Sequence, residues 1–589
     1  MNSFLQRRAT VVLILLLGVV LPIFLQLGGR GLNEPDEGRY SEMGREMVVT
    51  GDWLVPRLNG VPHYAKPPWI YWCIAASLKV FGMNEWAARL PSALAALVTA
   101  LLVFDLGRRM GGTRAGIFSA LALTSSLLFF VVARLISPDM MLTACITTAL
   151  YCFWRWWNSE PRSTRWLVGF FFAVGIGFFD KGPFAIGVSF LAIFGFLALE
   201  RKFSELKRPC FWIGLLLGLI LIAAISLPWF LIICHLNPDL YDFYLHGQIT
   251  DRIISGGGRA HSFFYHFAWL PGDCWPWSIL IACAVAGHFR WWKTNDTARS
   301  VSSFLLPWFV LPLLMFSLTS SKLPTYPLPL TVPLSLMLGT WLSRVTGNDG
   351  LPAPARLLTS LLLPAPVAGV IWFACFKTNL PQTLTQKLLP IACIALGCFL
   401  VGLTFHWMIN RTKGFDFTRG LLAWWIVALI FLHGILFKMD QLEASFGHNS
   451  SWKVLTEPLA GIDLVGVPIN LDLHPTGKKP AFARPGPRVL MYEFYFRSCS
   501  FYLMKQKNEV VPLYAGSSLW EIGKDVDAEA KPIRSDLVEL LKGPETVYVF
   551  TRPQHRKELQ QLTGMELPLV AQAASGEHEL VLFQNRKRL

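Results

Sequence analysis

The sequence predicts a polytopic α-helical membrane protein with about thirteen transmembrane helices and a C-terminal α/β domain outside the membrane. Three observations carry this. Of 589 residues, 53% are hydrophobic and only 15% are charged, where a soluble chain carries about 25% charged residues. Apolar windows long enough to cross a bilayer recur along the chain. The loops between them alternate between basic and non-basic in step with the span count.

The windows fall near 9–29, 88–107, 115–134, 140–157, 165–179, 183–200, 211–235, 275–292, 301–320, 325–344, 357–376, 388–409 and 419–438. The fifth and sixth are short and are parted by Asp180-Lys181-Gly182-Pro183. The first follows Arg7 and Arg8, as in a signal peptide. Its length of about 20 residues and the lack of a small-residue cleavage site favour an uncleaved span. Lys and Arg gather in one set of loops, including Arg108, Arg109 and Arg114, then Arg201, Lys202, Lys207 and Arg208, then Arg411, Lys413 and Arg419. These are cytoplasmic by the positive-inside rule, which puts the N-terminus inside and the C-terminus outside.

The same loop pattern accounts for the net charge of +15. No basic face is left for nucleic acid, which is excluded as a partner. The eleven cysteines include Cys145, Cys152, Cys234, Cys283, Cys393 and Cys398 inside apolar spans. No CxxC pair or zinc spacing occurs, so buried free thiols are expected.

The domain boundaries follow. Residues 1–438 form the membrane domain with long outer loops at 30–87 and 236–274, and residues 439–589 form the tail domain. In the first loop, Tyr40, Met43, Gly44, Met47 and Val48 make an apolar stripe at helical spacing. Asp36, Glu37, Arg39, Glu42 and Arg45 fall off it, as in a helix lying in the interface plane. Pro35 suits its first turn and Gly51 its end. A second interfacial stretch runs from Trp69 to Lys79. In the tail, strands are expected at Arg488–Glu493, Glu509–Leu513, Glu545–Phe550 and Glu579–Phe583, and helices at Arg534–Leu541 and Arg556–Leu562.

Six polar motifs share the outer side. Glu34-Pro35-Asp36-Glu37 offers a carboxylate to accept a proton or orient an attacking group, or merely acids favoured by a helix dipole. Lys66, stiffened by Pro67 and Pro68, is a fixed cation for a phosphate or a lysine reaching toward headgroups. Asp139, after Arg134 and Ser137-Pro138, is a second acid or an N-cap. Asp180 and Lys181 either serve the site or neutralise each other. Ser320-Ser321-Lys322-Leu323-Pro324-Thr325-Tyr326 brings a lysine, hydroxyls and a phenol to a span end. His246, Asp251, Arg252 and His261 surround a Gly256-Gly257-Gly258 run. Convergence on one membrane face points to a phosphate-bearing, membrane-embedded substrate. Nucleotide-activated donors are cytoplasmic, so an enzyme on the outer face needs a lipid-linked one. Its phosphate would lie near Lys66 and Arg252, and its sugar near Asp36 or Asp139.

Glu34-Pro-Asp-Glu-Gly-Arg-Tyr40, Tyr64-Ala-Lys-Pro-Pro-Trp-Ile-Tyr-Trp72, Lys181-Gly-Pro183 and Ser321-Lys-Leu-Pro-Thr-Tyr326 together resemble the bacterial 4-amino-4-deoxy-L-arabinose lipid A transferases. These belong to the protein O-mannosyltransferase-like C-type (GT-C) glycosyltransferases. The resemblance runs in order through the membrane region. It implies a GT-C fold in the bacterial inner membrane, with a periplasmic tail and site. The implied reaction is an inverting sugar transfer from undecaprenyl phosphate to lipid A.

By motif, Asp36 and Asp139 are the implied catalytic acids, and Lys66, Arg252 and Tyr326 the implied holders of the carrier phosphate. Glu37, Arg39, Tyr40, Lys181, Lys322 and His246 are expected to support them. The relatives carry Glu directly before the motif lysine, where this chain has Ala65. That Glu would hold a divalent metal with a loop histidine, here His246. Ala65 therefore weakens the case for a metal and for a cationic amino sugar. The alternatives are a related transferase with another sugar or a protein or glycan acceptor, and a transporter of lipid-linked substrates. Against a transporter, the polar motifs gather at one face, with no repeat and no midplane cluster.

Overall fold

The computed structural model describes residues 8–33, 36–58, 60–64, 66–238, 240–242, 244, 261–294, 297–348, 465–466, 488–491, 541–544, 546–551, 553–575 and 578–585, with Trp425, Leu429, Leu432 and His433. The chain divides into two compact units, residues 1–27 with 92–438, and residues 28–91 with 439–589.

The first unit is a helical bundle. Helix α1, Arg8–Phe24, contains a π-helical turn at Leu16–Val20. Helix α2, Asp36–Thr50, and helix α3, Trp69–Phe81, belong to the second unit. Helix α4, Glu85–Ser125, covers the window expected at 88–107 and the first part of that at 115–134. It breaks at Gly111 and Gly112, where Gly112 takes φ +83, a conformation that side chains disfavour. Next come α5, Leu127–Val132, and α6, Pro138–Trp157. Helices α7, Thr164–Lys181, and α8, Phe184–Leu199, are separated at Gly182-Pro183, so the short fifth and sixth windows are two helices. Gly182 stops α7 with φ +80, its N–H donating to the Phe178 carbonyl.

Helix α9 is Pro209–Leu236. Residues 236–274 are not all loop, because α10 occupies Tyr265–Asp273. Helices α11, Ser278–Trp292, α12, Thr297–Leu318, and α13, Thr331–Asn348, follow. The windows at 357–376 and 388–409 lie outside the described residues, as does all but four residues of that at 419–438.

Among the described helices, α4, α9 and α12 are long and apolar enough to cross a membrane by themselves. Helix α9 leaves Trp212, Ile213, Leu216, Leu217, Ile220 and Leu231 exposed. Such an apolar surface suits lipid rather than water, and the protein is a membrane protein.

The second unit contains α2, α3 and a mixed sheet. Its strands are β3 (Val465–Gly466), β4 (Arg488–Met491), β5 (Val547–Thr551), β6 (Leu569–Ser575) and β7 (His578–Gln584). A short β1–β2 hairpin, Arg57–Leu58 with Val61–Pro62, follows α2. The sheet order is β3-β4-β5-β7-β6, parallel from β3 to β5 and antiparallel beyond. Helix α14, Pro553–Thr563, supplies Leu559 to a core with Leu541, Val547, Val549, Leu567, Val581 and Phe583. The expected elements near Arg488, Glu545, Arg556 and Glu579 are present, and β6 was not anticipated. Those at Glu509–Leu513 and most of Arg534–Leu541 lie outside the described residues.

Helix α2 stops where Gly51 places it, and Pro35 lies outside the described residues, but the helix does not expose a polar face as an interfacial helix would. Glu37, Glu42, Arg45 and Glu46 are all buried. Each has a partner that makes this tolerable. Glu42 chelates Arg45 at 2.8–2.9 Å, and Glu46 accepts the Gly60 N–H at 3.0 Å.

Candidate active site

In the helical unit, one end of the bundle collects a carboxylate, an ammonium, a hydroxyl and a phenol. Ser137 caps α6, its hydroxyl accepting the Asp139 N–H at 3.1 Å. The cap sets Asp139 in the first turn, where the helix dipole favours a negative charge. Asp139 Oδ1 takes an ion pair from Lys181 at the end of α7. Its Oδ2 accepts the Thr325 hydroxyl at 3.0 Å. Lys181 Nζ also lies 4.9 Å from the centre of the Tyr326 ring, a cation–π contact.

The pairing differs from one expectation. Asp180 and Lys181 were candidates to neutralise each other, but successive helical residues point in different directions. Lys181 pairs with Asp139, and Asp180 is fully buried. Tyr326 rests against Phe184, Phe316 and His266, with ring centres 5.9, 6.4 and 6.4 Å away. Lys322 is buried and donates to the carbonyls of Thr319 and, at 3.2 Å, His261.

In the second unit, α2 positions a second group. Asp36 is largely exposed, with 57% of its side-chain surface accessible, and pairs with Arg39. Lys66 Nζ donates to the Tyr40 hydroxyl at 3.2 Å. Arg39 lies over the same ring at 5.1 Å. Tyr40 in turn packs on Tyr71 of α3 at 5.6 Å.

Glu37 does something else. Both its oxygens take Arg89 at 2.8 Å, and Oε2 also takes Arg30 at 3.3 Å and the Asn33 N–H at 3.0 Å. Burial works against its charge, yet Arg89 and Arg30 hold its pKa down to about 2. Arg89 also donates to the carbonyls of Arg30 and Gly31. Glu37 thus fixes the segment leading into α2, one residue after Asp36.

Asp139, Lys181 and Tyr326 are therefore brought together in one unit, and Asp36, Arg39, Tyr40 and Lys66 in the other. Arg252, His246 and Ala65 lie outside the described residues. Among the described residues no three His, Cys, Asp or Glu side chains gather as metal ligands. Sequence reasoning quoted Thr325 without assigning it a part, and missed Arg89 and His266. Arg89 carries no local signal because its partner lies 52 residues away.

The family described as dolichyl-phosphate-mannose-protein mannosyltransferase matches residues 65–229. A Pseudomonas fluorescens undecaprenyl phosphate-α-4-amino-4-deoxy-L-arabinose arabinosyl transferase is 33% identical over 440 residues, covering 73% of this chain and 72% of its own. The Erwinia tasmaniensis enzyme of that name is 30% identical, covering 64% and 70%. For the Edwardsiella ictaluri enzyme the figures are 32%, 58% and 61%, so the match spans less than two thirds of that relative. The crystal structure of ArnT from Cupriavidus metallidurans bound to undecaprenyl phosphate superposes with a TM-score of 0.77 over 98% of both chains, at 21% identity. That likeness shows the GT-C fold. By its similarity to the Pseudomonas and Erwinia enzymes, the chain belongs to the undecaprenyl phosphate-α-4-amino-4-deoxy-L-arabinose arabinosyl transferase family.

Proposed function

We propose that this protein transfers 4-amino-4-deoxy-L-arabinose from undecaprenyl phosphate to lipid A, at the periplasmic face of the bacterial inner membrane. The observation that carries the chemistry is the Asp139–Lys181–Thr325 centre beside Tyr326. Family membership supplies the donor class, and the motif resemblance supplies the acceptor class. The parity of the basic loops supports about thirteen spans and a periplasmic C-terminal domain, residues 439–589.

The reaction is a displacement at the anomeric carbon. An acceptor oxygen forms the new bond, the bond to the lipid phosphate breaks, and the phosphate leaves with the electron pair, inverting the centre. Lys66, Arg252 and Tyr326 are assigned to the growing phosphate charge. Loss of one such contact costs roughly 3–4 kcal/mol of transition-state stabilisation. Tyr40 aims the Lys66 ammonium. Lys181 and Thr325 hold Asp139 fixed in direction. Asp36 acts on the acceptor. A hydroxyl needs it as a base, whereas a phosphate acceptor, already anionic near neutral pH, needs it for orientation.

Ala65 favours a second reading, a related transferase with another lipid-linked sugar. The test is lipid A mass spectrometry in a host lacking its own aminoarabinose transferase. A gain of one aminoarabinose, lost with D139N, is expected. An unchanged lipid A with the protein present in the membrane rejects this donor and acceptor and favours the second reading.

A further inference from the structure

Three histidines of the helical unit differ in one respect. His288 bonds through both ring nitrogens, Nδ1 to Ser302 at 2.9 Å and Nε2 to Thr340 and the Met337 carbonyl. His433 bonds to Arg134 and the Leu429 carbonyl, each at 2.8 Å. His266, on α10, is 0% exposed, and neither of its ring nitrogens has a hydrogen-bond partner among the described residues. Leaving both unmet is costly, and an apolar ring of similar shape would remove the cost. Orphaned buried polar groups of this kind call for an explanation.

The position supplies one. The imidazole packs against Tyr326 and Phe316, and Tyr326 carries the Lys181 ammonium that pairs with Asp139. The same helix ends in Asp273, seven residues on and so on the same side of α10. Its Oδ2 is also buried without a partner among the described residues. Two orphaned polar groups thus share one side of the helix whose first turn packs on the candidate active site. Burial, with Lys322 and His261 nearby, pushes the His266 pKa down to about 4. The ring is therefore neutral at physiological pH, with one N–H donor and one acceptor. That pair complements a sugar hydroxyl or a neutral amine, each of which both donates and accepts.

We infer that His266 is a specificity-determining contact for the sugar of the lipid-linked donor, its hydrogen bonds completed only when the donor is bound. The inference rests on the donor reading above. It implies that the chain keeps an unsatisfied group at a cost in stability, because the loaded site uses it.

The test compares H266F, which keeps the ring and removes both nitrogens, with H266Q, which retains a donor and an acceptor. Purified full-length protein is titrated with bare undecaprenyl phosphate and with undecaprenyl phosphate-linked aminoarabinose, and its thermal unfolding is followed. Wild type is expected to prefer the sugar-bearing lipid. H266F should lose about tenfold in that preference, a little over 1 kcal/mol, with unchanged affinity for the bare lipid. It should melt no lower than wild type, and H266Q should recover part of the preference. If H266F discriminates as wild type does, or melts lower and loses both ligands equally, His266 is structural and the inference fails. Wild-type transfer to lipid A is measured in parallel. Its absence overturns the donor reading as a whole, whereas transfer with an indifferent H266F overturns this inference alone.

Discussion

Lys181 closes α7 by reaching Asp139, 42 residues earlier at the start of α6, and not its own neighbour Asp180. The contact joins two helix ends and compensates a nearly buried carboxylate. It also places an ammonium on the face of Tyr326.

Removing either partner should cost more than removing both. K181M strands Asp139, and D139N strands Lys181. Breaking one side of a buried pair costs roughly 3–5 kcal/mol. A double-mutant cycle on thermal unfolding in detergent should show coupling of about 1 kcal/mol or more. Additive effects would mean that the pair carries no energy of its own. Activity is expected to fall in all three variants, since none keeps a charged and oriented Asp139.

Tyr40 holds Lys66 by a single hydrogen bond at 3.2 Å and by its ring at 5.7 Å. Y40F keeps the ring and loses the bond. It should reduce kcat modestly, about five- to tenfold, through a less well aimed ammonium. K66M should lose roughly a hundredfold or more, because the charge itself is gone. Equal losses in the two variants would assign the catalytic contact to the phenol and not to the lysine.

Asp36 is exposed and pairs with Arg39, a setting that suits a group acting on an arriving acceptor. D36N separates the two acceptor chemistries. With a hydroxyl acceptor the loss should approach the 10²–10⁴-fold typical of a missing general base. With a phosphate acceptor it should be smaller. Steady-state rates with both acceptors distinguish them, and equal loss would reject a base role.

Arg89 and Glu37, the residue after Asp36, form a buried pair. The Glu37 pKa of about 2 lies below its ordinary 4.5. Its contribution to stability is therefore present above pH 4.5 and lost as pH falls toward 2. R89M should destabilise by about 3–5 kcal/mol at pH 7 by stranding the carboxylate. A shift in melting temperature of under a degree or two would show that Arg30 and Asn33 suffice.

Local pattern made much of this molecule legible. Pro35 and Gly51 bracketed α2, Gly182-Pro183 split α7 from α8, and the motif residues Asp36, Lys66, Asp139 and Tyr326 were quoted before any geometry. What stayed hidden depends on contacts distant in sequence. The burial of Glu42 and Arg45 belongs to a helix that is buried along nearly its whole length, which a hydrophobic stripe does not report. Lys181 had two acids in reach of the argument, and chain proximity favoured the wrong one. His266 looked like a loop residue because α10 is short and turns its polar groups inward, exposing Phe264, Phe267 and Trp269. That inside-out pattern inverts the periodicity by which soluble helices are recognised.

Asp273 gives a prediction with a definite sign. Burial raises its pKa from 3.8 to about 7. The unfolded chain releases this proton near pH 4, while the folded protein holds it until about pH 7. Between those values the folded state binds more protons, so stability falls as pH rises, and then levels off above about 7. D273N mimics the protonated side chain at every pH. It should match wild type near the acid end of this window and melt progressively higher than wild type up to about pH 7, with a constant difference beyond. Melting curves of both proteins in one detergent from pH 5 to pH 8.5 decide it. A difference that does not change with pH would mean that Asp273 is ionised throughout, and that its burial is relieved by a partner.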